Sequence, residues 1–338
     1  MDALSETLRV VRLVGAIFIN ARFTAPWCYL SQRADAVAPL LEPGAERVII
    51  FHLITEGECI VQMEDGEGSA APVTLIAGDV VIFPQGDAHR MASGPGVPVA
   101  TANRRLDEVF SRRPRQLAYG GGGKATKLVC GYLACDARLA RMLLAGLPPL
   151  VKVNVRGSNA GAWLEASLRY ALAEARSPRP GGMGVLAKLA EVLFIEVLRL
   201  YIADQGASRT GWLAGVSDRI VGAALDALHK DPAHPWTLEE LARTAATSRS
   251  VLAERFAALV GTSPMQYLTQ WRMLLASNLL CRSNAPLASI AQDVGYQTDT
   301  AFSRAFRREF GAPPAAWRRS QAARARGEPA ADGIPRQA

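Results

Sequence analysis

Short apolar runs separated by Gly, Pro and Asp dominate residues 8–135 of the chain. These runs occupy residues 48–53, 59–63, 73–76, 80–83 and 127–133. Runs of this length, bounded by turn residues, are typical of β-strands. Several of them at such close spacing predict a small sandwich or barrel, and the glycine-rich stretch at 119–123 is interpreted as the loop before the last strand.

The apolar period becomes helical after residue 137. Apolar residues recur every three or four positions in two stretches, which predicts two amphipathic helices. The stripes consist of Trp163, Leu164, Leu168 and Leu172, and of Leu186, Leu189, Leu193, Val197 and Leu200. Two interpretations of these apolar faces stay open, because a helix pair of this kind serves either as core or as a surface for self-association.

Residues 237–317 contain two copies of one pattern. Leu252, Phe256 and Gly261 in the first copy have counterparts about 50 residues later, which are Phe302, Phe306 and Gly311. Each copy predicts a short amphipathic helix, a tight turn and a second helix with apolar residues at i and i+4. The small residues Ala242 and Ala291 let the paired helices cross closely. This is the pattern of a helix-turn-helix unit, whose second helix presents its outer face to the major groove.

One uninterrupted helical stretch, residues 265–281, joins the two copies. At about 1.5 Å per residue it spans roughly 25 Å, which suits two recognition helices that enter successive major grooves roughly 34 Å apart. Basic residues cluster in or beside these helices: Arg249, Arg255, Arg304, Arg307, Arg308, Arg318 and Arg319. The alternative is an all-helical domain in which the repeat serves only packing, and the placement of the arginines favours DNA binding.

The motifs of the repeat closely resemble those of the AraC/XylS family of transcription regulators. They are WTLEELA at 236–242, SRSVLAERF at 248–256, GTSPMQYL at 261–268, IAQDVGY at 290–296 and AFSRAFRREFGAPP at 301–314. The resemblance implies a DNA-binding domain over residues 214–320, in which a long helix joins two helix-turn-helix units. By this resemblance the base-reading positions are Ser250, Ala253 and Glu254 in the first unit, and Asp299, Thr300 and Arg304 in the second.

The chemistry of several of these side chains suits base recognition. Arg304 can pair with a guanine edge, Glu254 can accept from cytosine N4, and Thr300 can bond a base or touch a thymine methyl group. Asp299 has a second interpretation, as the cap of its helix. Contacts to phosphates are expected from Ser248, Arg249, Arg307 and Arg308.

The stretch from Gly78 to His89 reads Gly-x5-Pro-x-Gly-x2-His and resembles the second cupin motif. It implies a cupin-type effector domain over residues 1–135. Catalytic cupins carry a His-x-His pair and a downstream Glu, whereas this chain has no His-x-His. Non-haem iron chemistry is therefore not expected. A metal-dependent cupin enzyme remains the disfavoured alternative, and no catalytic residue, metal site or cofactor is predicted.

Trp27, Phe51, His52, Phe83 and His89 are candidates to line a pocket for a small organic effector. A second hypothesis is a thiol or metal sensor, because some relatives with this type of N-terminal domain sense oxidants or metal through Cys and His. Its candidates are Cys28 and Cys130, together with His52 and His89. The alternative to both is that these side chains are ordinary core residues.

Composition narrows the class of protein. Apolar residues make up 49% and charged residues 20%, which excludes an intrinsically disordered chain, and the net charge of +7 favours an acidic partner such as nucleic acid. Five scattered cysteines do not predict a disulfide framework. Since no secretory signal or membrane span is apparent, a cytoplasmic protein is expected.

The chain is thus predicted to be an α+β multidomain protein. A cupin-like β-barrel is expected at residues 1–135, a helical extension suited to dimerisation at 136–205, a linker at 206–213, an all-α DNA-binding domain at 214–320 and a flexible tail at 321–338. The expected partners are double-stranded DNA, RNA polymerase, a small-molecule effector and a second copy of the chain, and no membrane.

Overall fold

The computed structural model describes residues 2–10, 13–41, 45, 47–64, 71–99, 115–135, 143–144, 146–156, 159–176, 180–204 and 211–325. The chain forms two compact units, Arg12–Gly206 and a second unit that combines Met1–Val11 with Ala207–Ala338. The first helix, α1 (Ala3–Val10), therefore groups with the C-terminal unit, whereas the sequence prediction placed it in the cupin-like domain. Residues 206–210 of the predicted linker lie outside the described residues.

The strands of the first unit form two sheets. They are β1 (Val14–Thr24), β2 (Cys28–Ser31), β3 (Arg47–Glu56), β4 (Glu58–Met63), β5 (Val73–Ile76), β6 (Asp79–Phe83), β7 (His89–Ala92), β8 (Arg115–Gly120), β9 (Ala125–Cys135) and β10 (Val151–Asn154). The larger sheet has the order β10-β6-β3-β9-β1-β8, and the smaller has the order β2-β7-β4-β5. The β1–β8 pair is parallel, and the other pairs are antiparallel.

The core of this unit lies between the two sheets. Ile50, Phe83 and Cys130 from the larger sheet belong to one buried cluster with Val61 and Met91 from the smaller sheet. Among the described strands the sheets stay separate, so the predicted barrel is not closed. The alternation of apolar and polar positions did not reveal this, because a strand has one buried face in a sandwich and in a barrel alike.

Helices cover part of the sandwich. They are α2 (Ala34–Leu41), α3 (Asn159–Arg176) and α4 (Gly182–Asp204), and the last two lie where the sequence predicted two helices. In α3 the predicted apolar stripe is split, because Leu164 is buried and Trp163 is exposed. Helix α4 packs against β1, β9 and β10. Gly15 allows the close approach to β1, because a Cβ atom there would lie 2.9 Å from the Cβ of Ala190. None of the described helices has the length and apolarity that crossing a membrane requires.

The second unit is helical throughout its described length. After α1 its helices are α5 (Trp212–Ser217), α6 (Arg219–Lys230), α7 (Leu238–Thr244), α8 (Arg249–Val260), α9 (Pro264–Arg282), α10 (Leu287–Asp293), α11 (Asp299–Phe310) and α12 (Pro314–Ala325). Helix α9 confirms the uninterrupted stretch predicted at 265–281. Helix α12 continues to Ala325, into the region predicted as a tail, and residues 326–338 lie outside the described residues.

Capping residues fix the bounds of the repeated helices. The hydroxyl groups of Ser248 and Thr298 accept hydrogen bonds from the third residue of α8 and of α11. Both helices end at a glycine in the left-handed conformation, Gly261 with φ 81° and Gly311 with φ 71°. The same start and stop signals therefore produce two helices of 12 residues each.

The N-terminal helix packs on α6. The backbone N–H of Ala3 donates to Asp226 Oδ1 at 2.7 Å, and Asn278 Nδ2 donates to the carbonyl of Val10 at 2.8 Å. Ala3, Thr7 and Val10 are buried in this contact. The helix that begins the chain thus belongs to the packing of the C-terminal unit.

Candidate nucleic-acid interface and sensor core

Helix α8 has one buried and one exposed side. Leu252 and Phe256 are fully buried, as the i and i+4 pattern predicted. The side chains of Ser248, Arg249, Ser250 and Glu254 are exposed, and Ala253 is half-buried. The exposed side therefore carries most of the residues that the family resemblance assigned to DNA in the first unit.

Helix α11 repeats this arrangement and carries three exposed arginines. Phe302, Ala305, Phe306 and Phe310 are buried. The exposed positions include Ala301 and Glu309 together with all five residues that the family resemblance assigned to DNA on this helix: Asp299, Thr300, Arg304, Arg307 and Arg308. Within the described part of the chain no carboxylate pairs with these three arginines or with Arg249. Because their guanidinium groups are solvated and unpaired there, they are available to an anionic partner. Thr298, not Asp299, caps α11, so the capping interpretation of Asp299 is wrong.

Two arginines of the predicted basic cluster are engaged in the fold. Arg255 donates from Nε and Nη2 to Asp218 Oδ2, and Asp218 in turn caps α6 through the backbone N–H groups of Ile220 and Val221. The Arg255 guanidinium is the main cause that lowers the pKa of the Asp218 carboxyl. Arg318 donates to the carbonyl of Ala285 at 2.7 Å. Their residue type suggested DNA, but tertiary contacts give them structural partners.

A polar relay crosses the core between the two sheets of the first unit. His52 on β3 lies directly opposite Cys130 on β9, and its Nδ1 is 2.8 Å from Cys130 Sγ. The other ring nitrogen, Nε2, is 2.7 Å from Nε2 of His89, which lies on β7 of the smaller sheet. All three side chains are buried, and the ring of Phe83 stacks on His89 with centroids 3.5 Å apart.

The last partner of the relay fixes the position of every proton. His89 Nδ1 lies 2.9 Å from the carbonyl oxygen of Asp87, which can only accept, so Nδ1 carries the hydrogen. A neutral His89 then accepts at Nε2 from the Nε2–H of His52, and His52 Nδ1 accepts from the Cys130 thiol. No sequence pattern could indicate the Asp87 carbonyl, because a backbone acceptor has no residue signature.

Burial holds the relay in this neutral state. Desolvation lowers the pKa of His89 to about 4. It also lowers the pKa of His52 well below its usual value, and the neighbouring His89 acts in the same direction. Desolvation raises the pKa of the Cys130 thiol, and a charge on Cys59 acts in the same direction. At neutral pH the core therefore contains a thiol and two uncharged imidazoles.

The structure brings together only part of the predicted effector pocket. His52, Phe83 and His89 meet. Phe51 directly precedes His52 on β3, so it points to the opposite face of the sheet and lies outside the inter-sheet cluster. Trp27 lies in that cluster with its ring centroid 4.8 Å from Phe23. Its indole Nε1 is buried and has no hydrogen-bond partner among the described residues.

Cys28 does not join the relay. It precedes Tyr29 on β2, and Tyr29 points into the inter-sheet core, so Cys28 faces the other side of the smaller sheet. In the described part of the chain no group of three His, Cys, Asp or Glu side chains is arranged to hold a metal ion. The relay itself does not fit one, because the two nitrogens of His52 point to different partners and are both in hydrogen bonds.

Comparison with known proteins gives a consistent family. A cupin family model matches residues 2–203, and a helix-turn-helix domain model matches residues 241–320. An AraC-like transcription regulator of Streptomyces lividans is 37% identical over 278 residues, which cover 81% of this chain and 88% of the relative. The transcriptional activator RclR of Escherichia coli is 30% identical, over 94% of this chain and 97% of the relative.

Among solved structures, the DNA-binding domain of AdpA, in complex with a target DNA, is 34% identical. The matched region covers 32% of this chain and 96% of the AdpA domain, with a TM-score of 0.30. The cupin match spans more than half of the chain, and the relative from Streptomyces lividans extends over most of both proteins. The chain therefore belongs to the AraC family of DNA-binding transcription regulators and combines a cupin-type N-terminal domain with a helix-turn-helix C-terminal domain.

Proposed function

We propose that the protein reads a bipartite DNA site by placing α8 and α11 in successive major grooves. The observation that carries this proposal is the row of exposed arginines on α11 and at the start of α8, which have no acidic partner among the described residues. Helix α9, with 19 residues, spans nearly 30 Å at about 1.5 Å per residue. That length suits recognition helices that contact one face of the duplex about one turn apart.

The proposed contacts divide into two classes. Base edges are read by Ser250, Ala253 and Glu254 on α8 and by Asp299, Thr300 and Arg304 on α11. Phosphates are bound by Ser248, Arg249, Arg307 and Arg308. The Ser248 oxygen accepts from Val251 N–H at 3.3 Å and lies 3.1 Å from the Ser250 hydroxyl oxygen. Because one hydroxyl of this pair donates to the other, the second keeps its hydrogen for a DNA oxygen.

The first proposed mode of control is a small organic effector that binds in the inter-sheet core. The unpartnered indole N–H of Trp27 supports this mode, because a buried donor without an acceptor is costly and a ligand oxygen would satisfy it. His52, Phe83 and His89 supply aromatic surface in the same core. Such a ligand controls DNA binding only if its affinity differs between two states of the protein.

The second proposed mode is oxidation of the Cys130 thiol, and the relay is the observation that favours it. As the sulfur attacks hydrogen peroxide, His52 Nδ1 accepts the thiol proton and returns it to the leaving hydroxide, so that the products are a sulfenic acid and water. The sulfenic acid has lost the S–H that donates to His52 Nδ1 and has gained an oxygen atom in a packed core. Because His52 and His89 belong to different sheets, the change would disturb the contact between them.

A homodimer is proposed to form through α3. Trp163 is 49% exposed and Tyr170 is 47% exposed, and the small exposed residues Ala166 and Ala173 alternate with them along one stripe of the helix. Large and small residues in alternation are suited to interdigitate with a second, antiparallel copy of the same stripe. Because the chain belongs to a family of transcription regulators, we further propose that the dimer contacts RNA polymerase.

The DNA proposal is tested by selecting genomic fragments with the full-length chain at two salt concentrations. Enriched fragments that share two short sequence blocks about one helical turn apart are expected. Binding that falls steeply with salt but enriches no sequence would refute base reading and leave only electrostatic attachment.

The two modes of control are separated by measuring affinity for an enriched site with and without hydrogen peroxide. In the thiol mode, peroxide changes the affinity of the wild type and of Cys59→Ser but leaves Cys130→Ser unchanged. Cys59 is the matched control, since it is equally buried in the same core but lies outside the relay. If peroxide leaves the wild type unchanged, the thiol mode is wrong, and native mass spectrometry of the purified chain then tests for a co-purified small molecule.

A further inference from the structure

Val251 is an exposed apolar residue in a unit whose other described large apolar side chains are buried or partly buried. Its side chain is 44% exposed, and in the described region 211–325 it is the one large hydrophobic residue in this state. Valine has a lower helix propensity than alanine, so the local structure of α8 does not call for it. Helix propensity therefore does not explain why this position is apolar, and over two fifths of its surface is open to a partner.

The position of Val251 on α8 connects it with the proposed reading surface. It follows Ser250 directly, and it precedes Glu254 by three residues, which places the two side chains next to each other on the helix. Leu252 and Phe256 occupy the opposite, buried side. A hydroxyl, an isopropyl group and a carboxylate therefore form one continuous exposed surface in the first two turns of α8.

We propose that Val251 is a specificity-determining residue that contacts the 5-methyl group of a thymine. This inference rests on the proposed function, because it requires α8 to lie in the major groove. The thymine methyl is the apolar group that a base pair presents there, and an aliphatic side chain is its natural partner. Since Glu254 accepts from cytosine N4, the sequence block read by α8 contains a thymine adjacent to a cytosine.

The test uses the full-length chain and the double-stranded site recovered by the genomic selection. Each thymine of the site is replaced in turn by deoxyuridine, which removes only the methyl group. One replacement is expected to weaken binding of the wild type about fourfold, the effect of exposing one buried methyl group. The same replacement is expected to leave the affinity of Val251→Ala unchanged. The thymine-containing DNA is expected to bind Val251→Ala more weakly than it binds the wild type.

Val185→Ala is the matched control, because Val185 is a similarly exposed valine on a helix of the other unit, at 38% exposure. It is expected to retain the full response to deoxyuridine. The inference would be overturned if the selection enriches a site but no deoxyuridine replacement in it weakens the wild type more than Val251→Ala. The proposed function would then still stand. A selection that enriches no sequence would overturn both.

Discussion

The buried hydroxyl of Thr7 gives a direct test of how α1 packs on the DNA-binding unit. Thr7 is 0% exposed, and its Oγ1 has no hydrogen-bond partner among the described residues. Thr7→Val replaces this hydroxyl by a methyl group of nearly the same size. The two residues have similar helix propensities, so the change acts mainly on the buried surface between α1 and α6.

The expected effect is an increase in stability. A buried hydroxyl without a partner costs about 1–3 kcal/mol, and we therefore expect Thr7→Val to raise the free energy of unfolding of this unit by about 1–2 kcal/mol. For a unit of this size each kcal/mol corresponds to roughly 3–6 °C in melting temperature. Val10→Ala acts in the opposite direction, because it removes two buried methyl groups, and is expected to cost about 1–2 kcal/mol.

Amide hydrogen exchange of α6 in the full-length chain measures these changes in the relevant unit. A melting curve of the whole chain mixes the two compact units, whereas exchange reports the free energy of opening at each helix. If Thr7→Val lowers the protection of α6, as Val10→Ala is expected to do, the Thr7 hydroxyl stabilises this contact and the reasoning is wrong. If neither variant changes the protection, the contact between α1 and α6 does not contribute to stability.

Three further predictions concern DNA, assembly and pH. Arg304→Ala is expected to cost about 1–3 kcal/mol in binding free energy at the selected site and to relax the sequence preference at one base position. The control Arg199→Ala, on α4, is expected to leave affinity and sequence preference unchanged. If Arg304→Ala weakens binding equally on all sequences, Arg304 is a phosphate contact. Trp163→Ser is expected to raise the dimer dissociation constant about tenfold or more in analytical ultracentrifugation, with Ile76→Ser, 49% exposed on β5, as the control without effect. Burial lowers the pKa of His229 to about 3. Between that pH and about 6.5 the unfolded chain therefore binds one more proton than the folded chain. The helical unit is expected to lose stability as pH falls through this window. From pH 7 to pH 5 the loss is about 2 kcal/mol, measured by exchange of α6, and an equally steep decline in His229→Gln would contradict this origin.

Local sequence patterns predict the helices and strands and the exposed faces that carry the proposed DNA contacts. The two copies of the helical pattern place Leu252, Phe256, Phe302 and Phe306 in the core and leave Arg304 exposed, as the structure has them. The strands at 73–76 and 80–83 also follow from the pattern. These features are local, because a period of 3.6 or 2.0 residues assigns each side chain to one face of its element.

Which of these faces contact each other depends on long-range packing. Asn278 binds the carbonyl of Val10 across 268 positions of the sequence, and no local period indicates that α1 joins the C-terminal unit. His52 and Cys130 meet because β3 pairs with β9 in one register, and His89 reaches them from the other sheet. The same packing leaves Phe51 outside the inter-sheet core and gives Arg255 to Asp218. The periodicity of the sequence indicates that a face is buried, but it does not indicate which element covers that face. The covering element depends on long-range packing, because many apolar faces of similar character compete for the same contact.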